Sequence, residues 1–175
     1  SHIRTRRLCI RALLSAPEPD PERIKQHLLR EPDPILRTML LQELIRRDAV
    51  TSTLAENMLK DKYFFNRILA LRQLDGMEKG PAAAKELPAD KTATVRNEAR
   101  QTLSKYEPQF DFLAFYKSRL PEYPVTSIYG IGEVGSSADT RNLEVFLSDE
   151  NPAVVRASMT SLMRLNSHRY AADIM

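Results

Sequence analysis

The chain has 175 residues, of which 42% are hydrophobic and 28% charged, with a mean hydropathy of −0.40; this is enough for one domain with a substantial core. No apolar run approaches the roughly 18–20 residues that a membrane-spanning helix requires, so no span is predicted. The net charge of +3 permits a local basic patch but does not by itself indicate nucleic-acid binding.

The predicted elements are all helices, and shorter ones alternate with longer ones along the chain. Apolar residues at intervals of three and four, such as Leu36, Leu40 and Leu44, predict the longer amphipathic helices. Asp33 with Pro34, and Asn151 with Pro152, are typical of an N-cap followed by the first helical residue. Shorter helices are predicted before the longer ones, at residues 21–30, 52–60, 81–87, 109–120 and 138–147.

One spacing recurs about every 30 residues and organises these helices into pairs. Each copy has an aspartate, then an apolar residue and an arginine, then small or apolar residues three and about seven positions later. The arginines are Arg37, Arg67, Arg96 and Arg156. A degenerate copy with Thr126 fills the long gap before Arg156, and a step back from Arg37 reaches Arg7. The repeat predicts stacked hairpins, because a single hairpin of this size cannot bury its apolar stripe.

The pattern Asp…Val-Arg-x-x-Ala-x-x-x-Leu, as between Asp90 and Leu103, resembles HEAT repeats, especially short bacterial HEAT-like repeats also found in relatives of phycobilisome lyases. The segment Ile131-Gly132-Glu133-Val134-Gly135, followed by Leu143, Leu147 and Asp149, is the closest local match. The resemblance covers nearly the whole chain. It implies an all-α fold, a right-handed α-α superhelix (solenoid) of about five to six hairpins, with residues 1–175 as a single domain.

The resemblance also implies that the repeated acids and arginines form a ladder of hydrogen bonds between neighbouring hairpins. Their regular recurrence favours this structural role, since a catalytic group would occur only once. The predicted ladder residues are Asp33, Arg37, Asp61, Arg67, Asp90, Arg96, Asp149 and Arg156.

A partner-binding face is predicted on the longer helices, which commonly line the concave side of HEAT-type stacks. Residues four positions after each repeat arginine should project on similar faces. Phe110 and Tyr123 belong to a segment rich in aromatic residues, and the core pattern constrains them less than their neighbours. The predicted partner-binding residues are Arg11, Leu41, Arg72, Arg96, Arg100, Phe110 and Tyr123. We therefore expect a non-catalytic interaction or regulatory scaffold with a protein partner.

Two alternatives from other functional classes stay open. A curved basic groove could follow a phosphate backbone, as in the HEAT-like alkylpurine DNA glycosylases. That alternative predicts convergence of six arginines, namely Arg4, Arg7, Arg11, Arg72, Arg96 and Arg100. A lyase or chaperone-like role on a tetrapyrrole or protein substrate is implied only by the lyase-like repeats.

The segment from Gly130 to Gly135 matches the dinucleotide-binding pattern G-x-G-x-x-G. That site requires a strand before the glycines and a full crossover helix after them, and too few residues separate Gly135 from Leu143 for such a helix. We expect the glycines to end a helix and form a turn, and Gly130 and Gly132 to loosen the helix that contains them.

The single cysteine, Cys9, excludes an internal disulfide and fits a reducing compartment, so a cytoplasmic location is expected. The histidines (His2, His27 and His168) are far apart and lack cysteine neighbours, so neither a metal site nor a cofactor is predicted. The chain is expected to end inside a further first helix near Met175, and thus to be part of a longer array or larger protein. Arg4, Arg6 and Arg7 would suit the cytoplasmic flank of an upstream membrane anchor. The oligomeric state is left open.

Overall fold

The computed structural model describes residues 2–166, and within that range every regular element is helical. The predicted all-α class is therefore confirmed. His168 and the expected helix near Met175 lie outside the described residues. Eleven α-helices are present in the described range: α1 (Ile3–Leu14), α2 (Pro21–Arg30), α3 (Pro34–Arg46), α4 (Ser52–Met58), α5 (Phe64–Leu74), α6 (Gly80–Glu86), α7 (Ala93–Tyr106), α8 (Phe112–Arg119), α9 (Pro124–Val134), α10 (Thr140–Glu144) and α11 (Pro152–Leu165).

The helices begin where local chemistry favours a helix start. Asp20 and Asp33 cap α2 and α3 by accepting hydrogen bonds from the first amides, and a proline follows each cap as the first helical residue. Asn151 caps α11 in the same way, so both predicted cap-and-proline starts are confirmed. None of the helices in residues 2–166 has the length and apolar character needed to cross a bilayer.

The helix predicted at residues 138–147 is instead divided into three short parts. A 3-10 turn (Ser137–Asp139) leads into α10, and a second one (Val145–Ser148) follows it. The α-helical part ends at Glu144, next to the point where Ser158 of α11 donates to the carbonyl oxygen of Leu143 at 2.5 Å. An acceptor already used by another helix favours the tighter turn.

The chain divides into two compact units, Ser1–Ala84 and Lys85–Met175. The single continuous superhelix over residues 1–175 stays a prediction. In the first unit α2 packs on α3 and α4 on α5, and the longer helix α3 contacts both α1 and α5. The core of this unit is built largely from leucines of α3, of which Leu40, Leu41 and Leu44 are fully buried.

The second unit is organised around α9. This helix packs on α8 and α11, while a 3-10 turn (Leu87–Ala89) contacts α7 and α9. Its core contains Tyr116 of α8, Ile128 and Ile131 of α9, and Leu162 of α11.

The repeat has a fixed register relative to the starts of α3, α5 and α7. An acid lies three residues before the first helical residue and accepts the amide two positions later, and an arginine lies three residues after that first residue. In every case the arginine Nη1 donates to the backbone carbonyl oxygen of the acid. The three pairs are Arg37 with Glu31 (2.9 Å), Arg67 with Asp61 (2.7 Å) and Arg96 with Asp90 (2.8 Å). The first repeat acid is thus Glu31, whereas Asp33 serves as the cap of α3.

Contacts between neighbouring hairpins use the same arginines in the first unit. Arg37 donates two hydrogen bonds to the carboxylate of Asp61, at 2.6 and 2.9 Å. Arg6 makes the equivalent contact with Glu31 at 3.0 Å. The arginine of α1 that matches Arg37 is therefore Arg6, and the sequence-based assignment of Arg7 was one residue late.

The last copy of the repeat departs from the predicted ladder. Asp149 has the expected place before α11 and accepts the amide of Asn151 at 2.8 Å. The residue in register with Arg37, however, is Val155, while Arg156 is exposed and has no side-chain partner among residues 2–166. The predicted ladder role of Arg156 is corrected on this ground. The degenerate copy is likewise shifted by one, because Ser127 and not Thr126 lies three residues after the start of α9.

Replacing Asp61 by asparagine is expected to lower the free energy of unfolding of the first unit by about 2 kcal/mol, because the Arg37 guanidinium loses a nearly buried charged partner. Burial raises the pKa of Asp61, but Arg37 and the Tyr63 amide outweigh this and hold the pKa below its ordinary value. Urea unfolding would measure the loss, with Glu18→Gln as the control that removes the same charge from an exposed position outside the helices. Additive effects of Asp61→Asn and Arg37→Gln would contradict the pairing.

Candidate partner-binding surface

The longer helices of the first unit present one continuous set of accessible side chains. Positions one, five and eight after a helix start lie within about 60° of one another around the helix axis. Because the stripes have the same register and α3 contacts both α1 and α5, we infer that they share one side of this unit. Each longer helix is the second helix of its predicted hairpin, so we call these residues the second-helix face. They are Arg4, Leu8 and Arg11 of α1, Ile35, Met39 and Gln42 of α3, and Phe65, Leu69 and Arg72 of α5. All nine are exposed or half-buried.

Large apolar side chains on this face are in contact with water. Leu8 is 66% exposed and Ile35 is 52% exposed. Single exposed apolar residues are common, but the same register positions also hold the half-buried Met39, Phe65 and Leu69. Several accessible apolar side chains at matching positions of adjacent helices are typical of an interaction surface.

The charge of the face is positive. Helix α1 has four arginines and no acid. Arg6 pairs with Glu31, whereas Arg4, Arg7 and Arg11 form no ion pair within the described part of the chain. Exposed guanidinium groups that form no ion pair are available to a partner.

A pocket of about 270 Å³ opens between the N-terminal ends of α1 and α3. Its apolar lining is Ile3, Ile35 and Leu36, and Arg4 and Arg7 lie beside these residues. Asp33 also lines the pocket, but its Oδ1 accepts the amides of Ile35 and Leu36, each at 3.0 Å. The pocket therefore combines an apolar wall with two cations and the carboxylate of Asp33.

A second pocket, of about 340 Å³, lies on another side of α1. Cys9 is exposed there, six residues after the helix start, while the equivalent Leu40, Ala70 and Ala99 are fully buried. The pocket is lined by Thr5, Arg6, Cys9, Ile10, Leu13, His27 and Glu31. Within residues 2–166, no group of three or more His, Cys, Asp or Glu side chains could hold a metal ion.

Two predicted binding residues of the first unit share one register position on the second-helix face. Arg11 and Arg72 each lie eight residues after the start of their helix, and both are exposed. Leu41 lies one position earlier, which rotates it by about 100° into the core, where it is fully buried. Leu41 is therefore not available to a partner, and its prediction as a binding residue is corrected.

Arg96 and Arg100 of the second unit contact an acid that the sequence analysis did not single out. Arg96, only 2% exposed, pairs with the Glu133 carboxylate through two nitrogens, and Arg100 donates to the same group at 2.7 Å. Arg164 lies 3.5 Å from it. Arg96 is thus buried, and its prediction as a binding residue is corrected. Arg100 is half-buried, and its guanidinium is paired with the Glu133 carboxylate.

Tyr116 completes this buried network. Its hydroxyl accepts from Arg100 at 2.9 Å and donates to the carbonyl oxygen of Pro88 at 2.8 Å. Burial raises the pKa of Tyr116, and this outweighs the nearby Arg100. Burial also raises the pKa of Glu133, but hydrogen bonds from Arg96 and Arg100 outweigh it and hold that pKa below its ordinary value. A neutral phenol and an ionised carboxylate saturated by arginines form a structural network, without a free base.

The two aromatic candidates have different environments. Phe110 is half-buried, with ring centroids 4.9 Å from Phe112 and 5.7 Å from Phe115. Arg119 lies over the Phe115 ring at 4.4 Å. Phe110 is therefore part of a packed aromatic cluster, whereas Tyr123 is 48% exposed and stays a candidate.

The glycine segment forms no nucleotide site in this fold. Gly130 and Gly132 lie inside α9 and are buried, with no strand in the described residues to precede them. A Cβ on Gly130 would overlap the ring of Tyr116, and one on Gly132 would come within 2.7 Å of the Ser161 Cα. These glycines allow α8 and α11 to pack closely on α9. That they also loosen the helix stays a prediction. Gly135 caps the end of α9, as expected.

Sequence reasoning missed the contacts made by Arg6, Glu31 and Glu133. A usable signal existed for the first pair, because the acid follows its arginine by 25 residues in Arg6 and Glu31 and by 24 in Arg37 and Asp61. No such spacing marks Glu133, which lies 37 residues after Arg96.

Comparison of the chain with protein-family models, with curated proteins and with solved structures finds no match. The resemblance to HEAT-like repeats stays a prediction, and the function has to be argued from the surface described above.

Proposed function

We propose that this chain is a non-catalytic protein-interaction module that binds a partner through the second-helix face of its first unit. The observation that carries the proposal is the exposure of Leu8 and Ile35, together with arginines of α1 that form no ion pair in the described residues. Apolar anchors surrounded by arginine are typical of protein-binding sites. Burying those side chains against a partner would remove apolar area from water, which supplies the driving force.

The nucleic-acid alternative has less support from the same residues. It requires six arginines to converge, and two of these, Arg96 and Arg100, contact Glu133. Phosphates bind exposed cations, whereas exposed aliphatic side chains such as Leu8 and Ile35 contribute nothing to phosphate binding. The apolar component of the face therefore favours a protein partner.

The double substitution Leu8→Asp/Ile35→Asp is expected to reduce capture of the partner from native lysate by about tenfold or more, because it places two charges in the buried part of the interface. The matched control is Val145→Asp/Met159→Asp, which adds the same two charges at residues that are 71% and 42% exposed in the second unit. Nuclease treatment of the lysate should leave capture intact, and the captured protein, once purified, should bind the wild-type chain directly.

Two results would contradict the proposal. The captured protein could bind the double variant and the wild-type chain equally well, which would place the interface elsewhere. Alternatively, only nucleic acid could be recovered, with binding lost steeply as salt rises, which would favour the phosphate-binding alternative.

A further inference from the structure

We infer that the second-helix face recognises an acidic peptide segment that inserts one large apolar side chain into the pocket between α1 and α3. The inference rests on the proposed function and specifies the chemistry of the partner.

The apolar part of the inference follows from the pocket lining. Ile3 and Ile35 form its walls and are 44% and 52% exposed, and Leu36 at its base is 2% exposed. An aliphatic or aromatic side chain in this space would cover both isoleucines at once. A concave apolar site of this kind is where a buried anchor contributes most to affinity.

The acidic part follows from the charges around the pocket. Arg4 and Arg7 line it, and Arg11 lies one further turn along α1. The Asp33 carboxylate also lines the pocket, and its Oδ1 accepts the first amides of α3. Its single negative charge leaves the pocket with a net positive charge, to which Arg11 adds along the helix. Carboxylates on either side of the apolar anchor would match the row of arginines, because a guanidinium binds a carboxylate through two parallel hydrogen bonds.

The same row of arginines could attract a single-stranded RNA. An RNA, however, presents phosphates and planar bases, and the pocket walls are aliphatic. The apolar pocket therefore separates the two kinds of partner, since only a peptide supplies both an aliphatic or aromatic anchor and carboxylates.

The experiment uses four fluorescent probes on the full chain. They are a short glutamate-rich peptide with one central phenylalanine, the same peptide with alanine in place of phenylalanine, the same peptide with glutamine in place of glutamate, and an oligouridylate of equal charge. The protein variants are Ile35→Ser and Arg4→Gln/Arg7→Gln. The matched control is Arg23→Gln/Arg30→Gln, which removes the same charge from exposed positions of α2.

We expect the phenylalanine peptide to bind more tightly than the oligouridylate. Loss of phenylalanine, or of Ile35, should weaken binding about tenfold. Loss of the glutamates, or of Arg4 and Arg7, should weaken it about fivefold at low salt and less at high salt. Because Cys9 lies in the other pocket of α1 and is the only cysteine, bound peptide should leave the rate of its reaction with a thiol reagent unchanged.

Four results would overturn the inference: no binding up to about 1 mM peptide, equal binding of the alanine peptide, tighter binding of the oligouridylate, or protection of Cys9 by the peptide. A natural partner that requires Leu8 and Ile35 but is indifferent to Arg4 and Arg7 would also overturn it, while leaving the proposed function intact. A partner indifferent to Leu8 and Ile35 would instead overturn the proposed function.

Discussion

Glu133→Gln is expected to lower the free energy of unfolding of the second unit by about 3 kcal/mol, because it leaves two poorly solvated guanidinium groups without their counter-charge. The side chains of Arg96 and Arg100 are 2% and 12% exposed, and Glu133 itself is 7% exposed. Water can therefore not replace the carboxylate. Removing one partner of a buried ion pair lowers the free energy of unfolding by more than the intact pair contributes to it. The reason is that the remaining charge stays buried without a partner.

The loss can be measured by urea unfolding and assigned to the second unit by hydrogen exchange of the α9 amides. The matched control is Glu150→Gln, which removes the same charge from an exposed position before α11 and should change stability little. Equal effects of the two substitutions would show that Glu133 has no special role.

Acid should weaken the wild-type protein through the same group. The folded-state pKa of Glu133 lies below its ordinary value of 4.5. The stabilisation by its ionised form is therefore fully present above about pH 4.5 and is lost as the pH falls through the lower, folded-state pKa. The stability difference between wild type and Glu133→Gln should accordingly shrink as the pH falls below that range. A constant difference down to low pH would contradict this assignment.

Gly130→Ala is expected to destabilise the second unit by about 2 kcal/mol, although alanine is the better helix former. Helix propensity favours alanine by about 1 kcal/mol, but the new Cβ would overlap the ring of Tyr116. That ring is 1% exposed and its hydroxyl is held by Arg100 and by the Pro88 carbonyl. It cannot move away without breaking those hydrogen bonds, so overpacking costs about 3 kcal/mol and outweighs the propensity.

Urea unfolding of Gly130→Ala in two backgrounds distinguishes steric overlap with the Tyr116 ring from an effect on the α9 backbone. In a Tyr116→Leu background the cost of Gly130→Ala should shrink, because the ring that the methyl group would meet is gone. Gly76→Ala provides a comparison without overlap: its φ is +91° and nothing lies within 4 Å of its added Cβ, so only backbone strain of about 1 kcal/mol is expected. An unchanged cost in the Tyr116→Leu background would refute the proposed clash.

The register of the longer helices shows where reasoning from spacing alone reaches its limit. Spacing identified a repeated arginine correctly at Arg37, Arg67 and Arg96, but it chose Arg7 where the structure uses Arg6. An error of one residue rotates a side chain by about 100°, enough to exchange a surface position for a core position. Leu41 was placed on the surface by counting four residues on from Arg37, whereas the exposed stripe, which includes Ile35, Met39 and Gln42, lies five residues on from that arginine.

By itself, the sequence determined the local elements of this protein. Helix α2 was predicted at residues 21–30 and is found at Pro21–Arg30, because an aspartate cap and a proline mark its start, and both act within a few residues of chain. Only the tertiary structure decided which distant groups meet: Glu133 with Arg96, the Gly130 backbone with the Tyr116 ring, and Ile3 with Ile35 around one pocket. These contacts depend on how helices are rotated and packed against each other, and that is set by the summed burial of many side chains rather than by any short pattern.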